Sequence, residues 1–444
     1  MIDYLIVGSG FTAATICIHL IDAQINPKKI IVVGPTKLGL GNAFNCVNDE
    51  YRLNVRSEIM WIYPENKLEF TSWAKRKVLD DSASNAAGKF YKRRDFGRFI
   101  YSKLRKYLDS GELKHQKKVI RKIYKDKSGY WVSILDDEKK LYSKNIILAT
   151  GNPSPQWPFN FESNNIRKPE SLIENPWDGK WIKKVRKYDD IVIIGSGLTA
   201  LDCLALLKSN NHSGKINIVS SSGMFPPAQA AWERKNSPVW PNRDGSELLP
   251  SKFLNFIKNY LPSEPLESSE WQSAWEELRQ DISHNWNKIP DDGKLTLKNK
   301  LNSTWSRLRY RASPQSIRSL EELQKNKQLI IQKGYAKSII QKKKLITLFT
   351  AEGKSIDADI IINCSGKGKD MLNEQIINSK IGVPDIFNET LEVDRNHRVI
   401  SSDGKANIGL YMISPALISK FGDIVAANRL ALQSISLASI LSSN

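Results

Sequence analysis

YLIVGSGFTAATI (residues 4–16) and IVIIGSGLTALDC (residues 191–203) are nearly the same line written twice, 187 residues apart. Each is an apolar run, then Gly-Ser-Gly, then two residues and an alanine, then a helical pattern. In the first copy Tyr4 to Val7 reads as a strand, Gly8-Ser9-Gly10 as a turn and Ala13 to Ile21 as a helix. In the second, Ile191 to Ile194 is the strand, Gly195-Ser196-Gly197 the turn and Ala200 to Leu207 the helix. The first glycine permits a tight turn, the second lets backbone approach a pyrophosphate, and the small third residue (Ala13 or Ala200) lets helix pack on strand. A pyrophosphate would then rest on the unsatisfied N–H groups at the positive end of the helix. A lone turn of this kind is weak evidence. Here it recurs in the right context, with a second apolar strand after each copy, KKIIVVG at 28–34 and KINIVS at 215–220.

Two later stretches repeat a second device. LYSKNIILATGNPSP (141–155) is a buried-looking strand ending in Ala-Thr-Gly, and IDADIIINCSGKG (356–368) is one ending in Cys-Ser-Gly. The fold class expected is α/β: two nested Rossmann-like dinucleotide-binding domains, the second interrupting the first, plus a helical Trp-rich insertion. The expected limits are 1–180 for the first part of the first dinucleotide-binding domain, and 181–225 and 326–367 for the two parts of the second. The insertion is 226–325, and 368–444 returns to close the first domain.

The chain of 444 residues is long enough for two or three cored domains, and 41% of it is hydrophobic. No apolar run reaches the roughly 18–20 residues of a membrane span, and the N-terminus enters a strand directly, so a soluble, cytoplasmic protein is expected. The four cysteines, Cys17, Cys46, Cys203 and Cys364, form no C-x-x-C pair, and the five histidines have no ligand spacing, so neither a metal site nor a redox dithiol is expected. The formal charge is +19. Its lysines are spread along the whole chain, which reads as solvated surface rather than a nucleic-acid face. KFYKRRDFGR (89–98) and KWIKKVRK (180–187) are the candidate basic patches.

GLGNAF (39–44), YRLNV (51–55), KRRDFGRFI (92–100), LATGNPSP (148–155), IIGSGLTALD (193–202), SSGMFP (221–226) and LYMISP (410–415), in this order, resemble the two-dinucleotide-binding-domain flavoproteins near the N-hydroxylating flavin monooxygenases. The resemblance implies FAD in the first domain and NADPH or NADH in the second. It implies that Gly8, Ser9, Gly10, Phe11 and Thr12 hold the FAD pyrophosphate. Gly39, Gly41 and Asn42 would then pass the ribityl side, and Arg52, Leu53 and Asn54 would lie near the flavin ring. Thr150 and Gly151, in the Ala-Thr-Gly turn, join this cofactor set. Gly195, Ser196, Gly197, Leu198 and Thr199 would receive the nicotinamide dinucleotide.

The sequence departs from that pattern in two places. A carboxylate usually ends the second strand to hold the adenosine ribose; here Gly34 and Pro35 stand there, with no acid before Asp49. After the corresponding strand of the second domain come Ser220, Ser221 and Ser222, with neither acid nor arginine. Such a loss costs on the order of 1.5–3 kcal/mol per charge-assisted bond.

Residues 225–330 fit neither nucleotide template and hold Trp232, Trp240, Trp271, Trp275, Trp286 and Trp305. The stretch 271–288 reads as one helix with an apolar tryptophan stripe, either core packing or an aromatic wall over the flavin. In WSRLRYRASP (305–314), Arg307, Arg309 and Arg311 are candidates to clamp a substrate carboxylate. No Ser-His-Asp set, paired carboxylates or metal cluster appears, as expected if a cofactor carries the chemistry, so no catalytic residue is assigned. The leading expectation is an FAD-dependent, NAD(P)H-using monooxygenase of a small amine or amino-acid-like substrate. The alternatives are an FAD oxidase or dehydrogenase that uses no NAD(P)H, and a non-catalytic scaffold with vestigial cofactor sites and a basic partner-binding surface.

Overall fold

Gly8 and Gly195 explain the shape of the chain around them. In the computed structural model, which describes residues 1–159, 169–241, 246–342 and 345–443 (the side chains of 301–307 and 342 excepted), both adopt positive φ, +126° and +104°. A Cβ on Gly8 would lie 2.2 Å from the Ala149 carbonyl oxygen, and one on Gly195 would lie 2.3 Å from that of Cys364. Only glycine fits either position. The Ala-Thr-Gly and Cys-Ser-Gly strand ends are therefore the surfaces against which the two glycine turns pack. The Gly8 N–H donates to Val33 O at 2.7 Å, and the Gly195 N–H to Val219 O at 2.8 Å. Each turn then opens a twelve-residue helix, Phe11–Asp22 or Leu198–Ser209.

The strands following these turns build two sheets. In the first, Ile2–Val7 lies between Ile30–Val33 and Lys140–Leu148, parallel to both. Its order runs Arg398–Ile400, Ala406–Met412, Lys140–Leu148, Ile2–Val7, Ile30–Val33, Lys114–Gln116, and the hairpin Ile120–Lys125/Trp131–Leu135 joins through Lys140–Leu148. The second sheet is all parallel, in the order Leu329–Lys333, Ile216–Ser220, Ile191–Ile194, Ile360–Asn363, Leu172–Ile173. Ile30–Val33 and Ile191–Ile194 are unbroken Ile/Val runs because both faces of the sheets are covered. Each fully buried side chain of this kind contributes roughly 1.5–3 kcal/mol.

The nesting is visible in the order of elements. Ala406–Met412 returns to the first sheet beside Lys140–Leu148, and the C-terminal helix Ala427–Ser442 packs on Phe11–Asp22. Leu172–Ile173, inside the 1–180 segment, pairs with the second sheet through Ile361 and Ile362. Three helices, Pro250–Tyr260, Ser269–Trp286 and Asp291–Arg309, form the insertion. Its own core gathers Trp240, Phe253, Trp271, Trp275 and Ile282. No described helix is long and apolar enough to cross a membrane.

Candidate functional site

A cavity of about 660 Å³ starts at the first glycine turn and runs to the helix of the second. Gly8, Ser9, Gly10, Phe11 and Thr12 line it, with Gly41, Asn42, Leu53, Asn54, Thr150 and Gly151. Gly10 and Gly41 pack so closely that a Cβ on Gly41, which has φ +50°, would lie 2.6 Å from the Gly10 Cα. Any side chain on Gly41 would push the loop off the turn.

Two members of the expected flavin set are not on the cavity wall. Gly39 (φ +90°) supports the loop from behind, its N–H donating to Ser9 O at 2.9 Å. Arg52 is turned away from the cavity. Its Nη1 lies 2.9 Å from Asp80 Oδ2 and 2.8 Å from Phe90 O, and the pair is buried. A guanidinium held by a buried carboxylate and a carbonyl is structural, because leaving either charge unpaired there is costly.

The departure at Gly34 has a steric cause. A Cβ at that position would fall 2.5 Å from both Gly8 C and Ser9 N. The second strand thus ends directly against the first turn, and no acid fits where a carboxylate usually stands. Ser9 Oγ instead lies 2.8 Å from Thr36 Oγ1 and accepts the Thr36 N–H at 3.0 Å. Carboxylates enter the wall elsewhere, at Asp202, Glu276 and Asp370. Asp370 Oδ2 accepts from Thr150 Oγ1 at 2.8 Å, while Oδ1 caps the helix Met371–Asn378.

At the second turn, Leu198 and Thr199 line the cavity, whereas Gly195, Ser196 and Gly197 do not. Ser196 Oγ donates to Met224 O at 2.6 Å and lies 2.9 Å from Ser220 Oγ, so its hydroxyl organises the loop. A Cβ on Gly197 would meet nothing within 4 Å. The space over that turn is open, and the first N–H groups of the helix face it without intrahelical partners.

The insertion supplies the remaining wall. Of its tryptophans, Trp232, Trp240, Trp271, Trp275 and Trp286 do not line the cavity, and the side chain of Trp305 lies outside the described residues; Trp177, which precedes the insertion, does line it. Trp271 and Trp275 stack on each other at 5.5 Å inside the insertion core, so the apolar stripe is packing and not an aromatic wall. The face of Ser269–Trp286 toward the cavity carries Glu276 and Arg279. Of the three candidate arginines, Arg309 and Arg311 line the cavity, and the side chain of Arg307 lies outside the described residues.

These side chains form one network. Asp423, 1% exposed, accepts from Arg279 Nε at 2.7 Å and also from Arg309 Nε. Arg279 Nη1 reaches Glu276 Oε1 at 2.8 Å, and Arg234 Nη2 lies 3.3 Å from Glu276 Oε2. Burial works to raise the Asp423 carboxyl, but Arg279 and Arg309 outweigh it and hold it well below the usual carboxylate range. Arg309 is therefore anchored through Nε and is not an independent clamp. Arg311 lies over the Trp271 ring at 4.9 Å, and burial pushes its guanidinium down to about 10, against Glu276.

Sequence reading missed Glu276, Arg279, Asp370 and Asp423. WEELR reads as a charged helix face, and only the packing of the stripe behind it turns that face inward. It also missed that Cys203 Sγ and Cys364 Sγ lie 3.7 Å apart, because 161 residues separate them. The stretch 89–98 is not a free basic patch either: Lys92 and Arg94 pair with Asp49, and Arg93 pairs with Asp202.

The two sheets, the paired turns and the cavity between them define the fold of the two-dinucleotide-binding-domain flavoproteins. Residues 5–153 match the family model described as FAD-NAD(P)-binding. Among curated proteins none matches the chain. The ornithine N-hydroxylase of Kutzneria sp. 744, solved with reduced FAD, NADP+ and L-ornithine, shares the fold at TM-score 0.66 and 12% identity, over 100% of this chain and 99% of that one. L-lysine 6-monooxygenase from Pseudomonas syringae does so at 0.67 and 11%, over 100% and 99%. The bacillithiol disulfide reductase of Bacillus cereus is similar at 0.53 and 13%, with 100% and 99% covered.

Proposed function

We propose that this chain is an FAD-dependent, NAD(P)H-using monooxygenase acting on the nitrogen of a small amine or amino-acid-like substrate. The observation that carries the reading is the single cavity joining the first glycine turn, Leu198 and Thr199 of the second, and the Glu276–Arg279–Arg311 wall. Its residues fit FAD: there is no side chain at Gly8, Gly10 or Gly41, and the cavity reaches from the first turn to Leu198 and Thr199. In this reading 1–180 and 368–444 form the flavin lobe, with Leu172–Ile173 lending an edge to the other sheet. Segments 181–225 and 326–367 form the nicotinamide lobe, and 226–325 walls the substrate.

When bound, FAD would carry two electrons from NAD(P)H to oxygen, and one oxygen atom would pass to the substrate nitrogen while the other leaves as water. The chain's own residues bind and orient. The N–H groups opening the helix Phe11–Asp22 hold one pyrophosphate, and those opening Leu198–Ser209 hold the other. Around the substrate end, three guanidiniums (Arg279, Arg309, Arg311) face two carboxylates (Glu276, Asp423). A guanidinium on this wall favours a substrate carrying a carboxylate of its own, with a charge-assisted bond contributing about 1.5–3 kcal/mol. The amine end then points along the cavity toward Leu53 and Asn54. No protein nucleophile is required.

The test is a visible absorbance spectrum of the purified protein before and after incubation with FAD and desalting. NADH or NADPH is then added anaerobically, and oxygen uptake is followed over a panel of diamines and basic amino acids. The reading expects bound flavin, bleaching by a nicotinamide, and oxygen uptake matched by hydroxylated amine. A protein that refuses FAD sinks it, as does a flavin-loaded one that no nicotinamide reduces.

A further inference from the structure

We propose that Lys333 recognises the 2′-phosphate of the nicotinamide dinucleotide, so that the second turn takes NADPH in preference to NADH. This rests on reading that turn as the nicotinamide site. In a strand–turn–helix–strand unit the adenosine ribose lies over the end of the second strand, where an acid selects the free 2′-hydroxyl and a cation accepts a 2′-phosphate. Here the second strand is Ile216–Ser220, and residues 216–227 contain no carboxylate.

A cation arrives from the neighbouring strand. Leu329–Lys333 runs parallel to Ile216–Ser220 in a register that sets Lys333 opposite Ser220, and the Gly334 N–H donates to Ser220 O at 2.9 Å. The loop is folded toward that lysine: Gly223, at φ +65°, donates its N–H to Ser220 Oγ at 2.9 Å, and a Cβ built on Gly223 would lie 3.5 Å from Lys333 Cβ. Lys333 and Ser221 are both exposed at this rim, and Lys333 makes no ion pair among the described residues. The acid on the following hairpin, Glu352, is held by the Tyr335 N–H at 3.1 and 3.2 Å. A lysine at this rim, next to a loop that carries the exposed Ser221 and no acid of its own, is suited to a 2′-phosphate.

The experiment uses 2′,5′-ADP and 5′-AMP as probes, titrated calorimetrically into the full-length protein at physiological salt. The wild type is expected to bind 2′,5′-ADP about tenfold to a hundredfold more tightly, the range of one charge-assisted phosphate contact. Lys333→Gln should bring the two probes within about twofold of each other and leave 5′-AMP affinity unchanged. Lys28→Gln, a surface lysine on the other lobe, controls for the general positive charge and should preserve the preference. In parallel, anaerobic flavin reduction by NADPH should lose affinity in Lys333→Gln while reduction by NADH does not. Equal binding of both probes by the wild type overturns the proposal, as does a preference that survives in Lys333→Gln. If neither probe binds and neither nicotinamide reduces the flavin, the nicotinamide reading of the second turn falls with it.

Discussion

Arg93 and Asp202 join the two lobes across the cavity: Nη1 lies 2.7 Å from Oδ2 and Nη2 3.0 Å from Oδ1. Arg93 opens the helix Arg93–Asp109 of the first lobe, and Asp202 sits on the helix of the second glycine turn. The arginine is fixed further by Nε, which donates to Arg52 O at 2.8 Å. Both side chains are largely buried, so removal of one leaves the other as an uncompensated charge, at a cost of about 3–5 kcal/mol. Asp202→Ala is expected to lower stability by that amount in urea unfolding. The paired replacement Arg93→Met with Asp202→Leu should recover most of it. If the double variant is no better than the single one, the pair does not act as a unit.

Gly34→Ala tests why the first turn lacks its usual acid. The new methyl would overlap Gly8 C and Ser9 N, which are backbone atoms and cannot swing aside. Bound flavin per protein is expected to fall several-fold, with a lowered melting temperature, and Gly34→Asp should do worse rather than restore a ribose contact. The ratio of visible to ultraviolet absorbance reports it directly. Undiminished flavin in Gly34→Ala would mean the turn has room that its backbone denies.

The two glycine turns were legible because everything that makes them is local: strand, Gly-Ser-Gly, alanine and helix lie within about twenty residues, Ile2 to Asp22 and Ile191 to Ser209. The Ala-Thr-Gly and Cys-Ser-Gly strand ends were legible as a repeated device, though their role as the surface under Gly8 and Gly195 was not. What local reading could not supply was direction. Arg52 looked like a flavin neighbour and faces Asp80; Arg309 looked like a clamp and is anchored on Asp423. Gly34 looked like a lost acid, yet the missing side chain is demanded by a contact 25 residues back along the chain. Glu276 and Arg279 carried no signal at all, since a charged helix face reads as solvent until something is packed against it.

All four cysteines are buried. Burial raises the Cys17 thiol and, with help from its neighbour Cys364, raises that of Cys203 well above its usual range. Thiolate is the reactive form, so little of it exists in the folded protein at neutral pH. Ellman's reagent is expected to find no fast-reacting thiol in the native state and four after denaturation in guanidinium. Cys203 and Cys364, at 3.7 Å, are in contact without being bonded. A native protein giving two rapid equivalents would show that the second sheet opens readily.

His397 gives the acid side of the stability curve a sign. It is 2% exposed, its ring stacks on Phe421 at 4.8 Å, and burial pushes its imidazole from 6.5 down to about 4, against a backbone bond to Met412 and the Asp394 charge. Between those values the unfolded chain takes up a proton that the folded one refuses, so stability falls as pH drops from about 6.5 toward 4. Asp202 works in the opposite direction. Burial raises it to about 6 in spite of Arg93, so over much of the same window the folded state binds the extra proton. The two contributions partly cancel in the wild type, and only a comparison separates them. His397→Asn keeps a side chain that tolerates the positive φ of +65° at this position and removes the titration. Its urea-derived stability should gain on the wild type steadily as pH is lowered from 7 to 4, by on the order of 3 kcal/mol at the end. Parallel curves for the two proteins would mean that His397 takes up its proton in the folded state near its ordinary pKa.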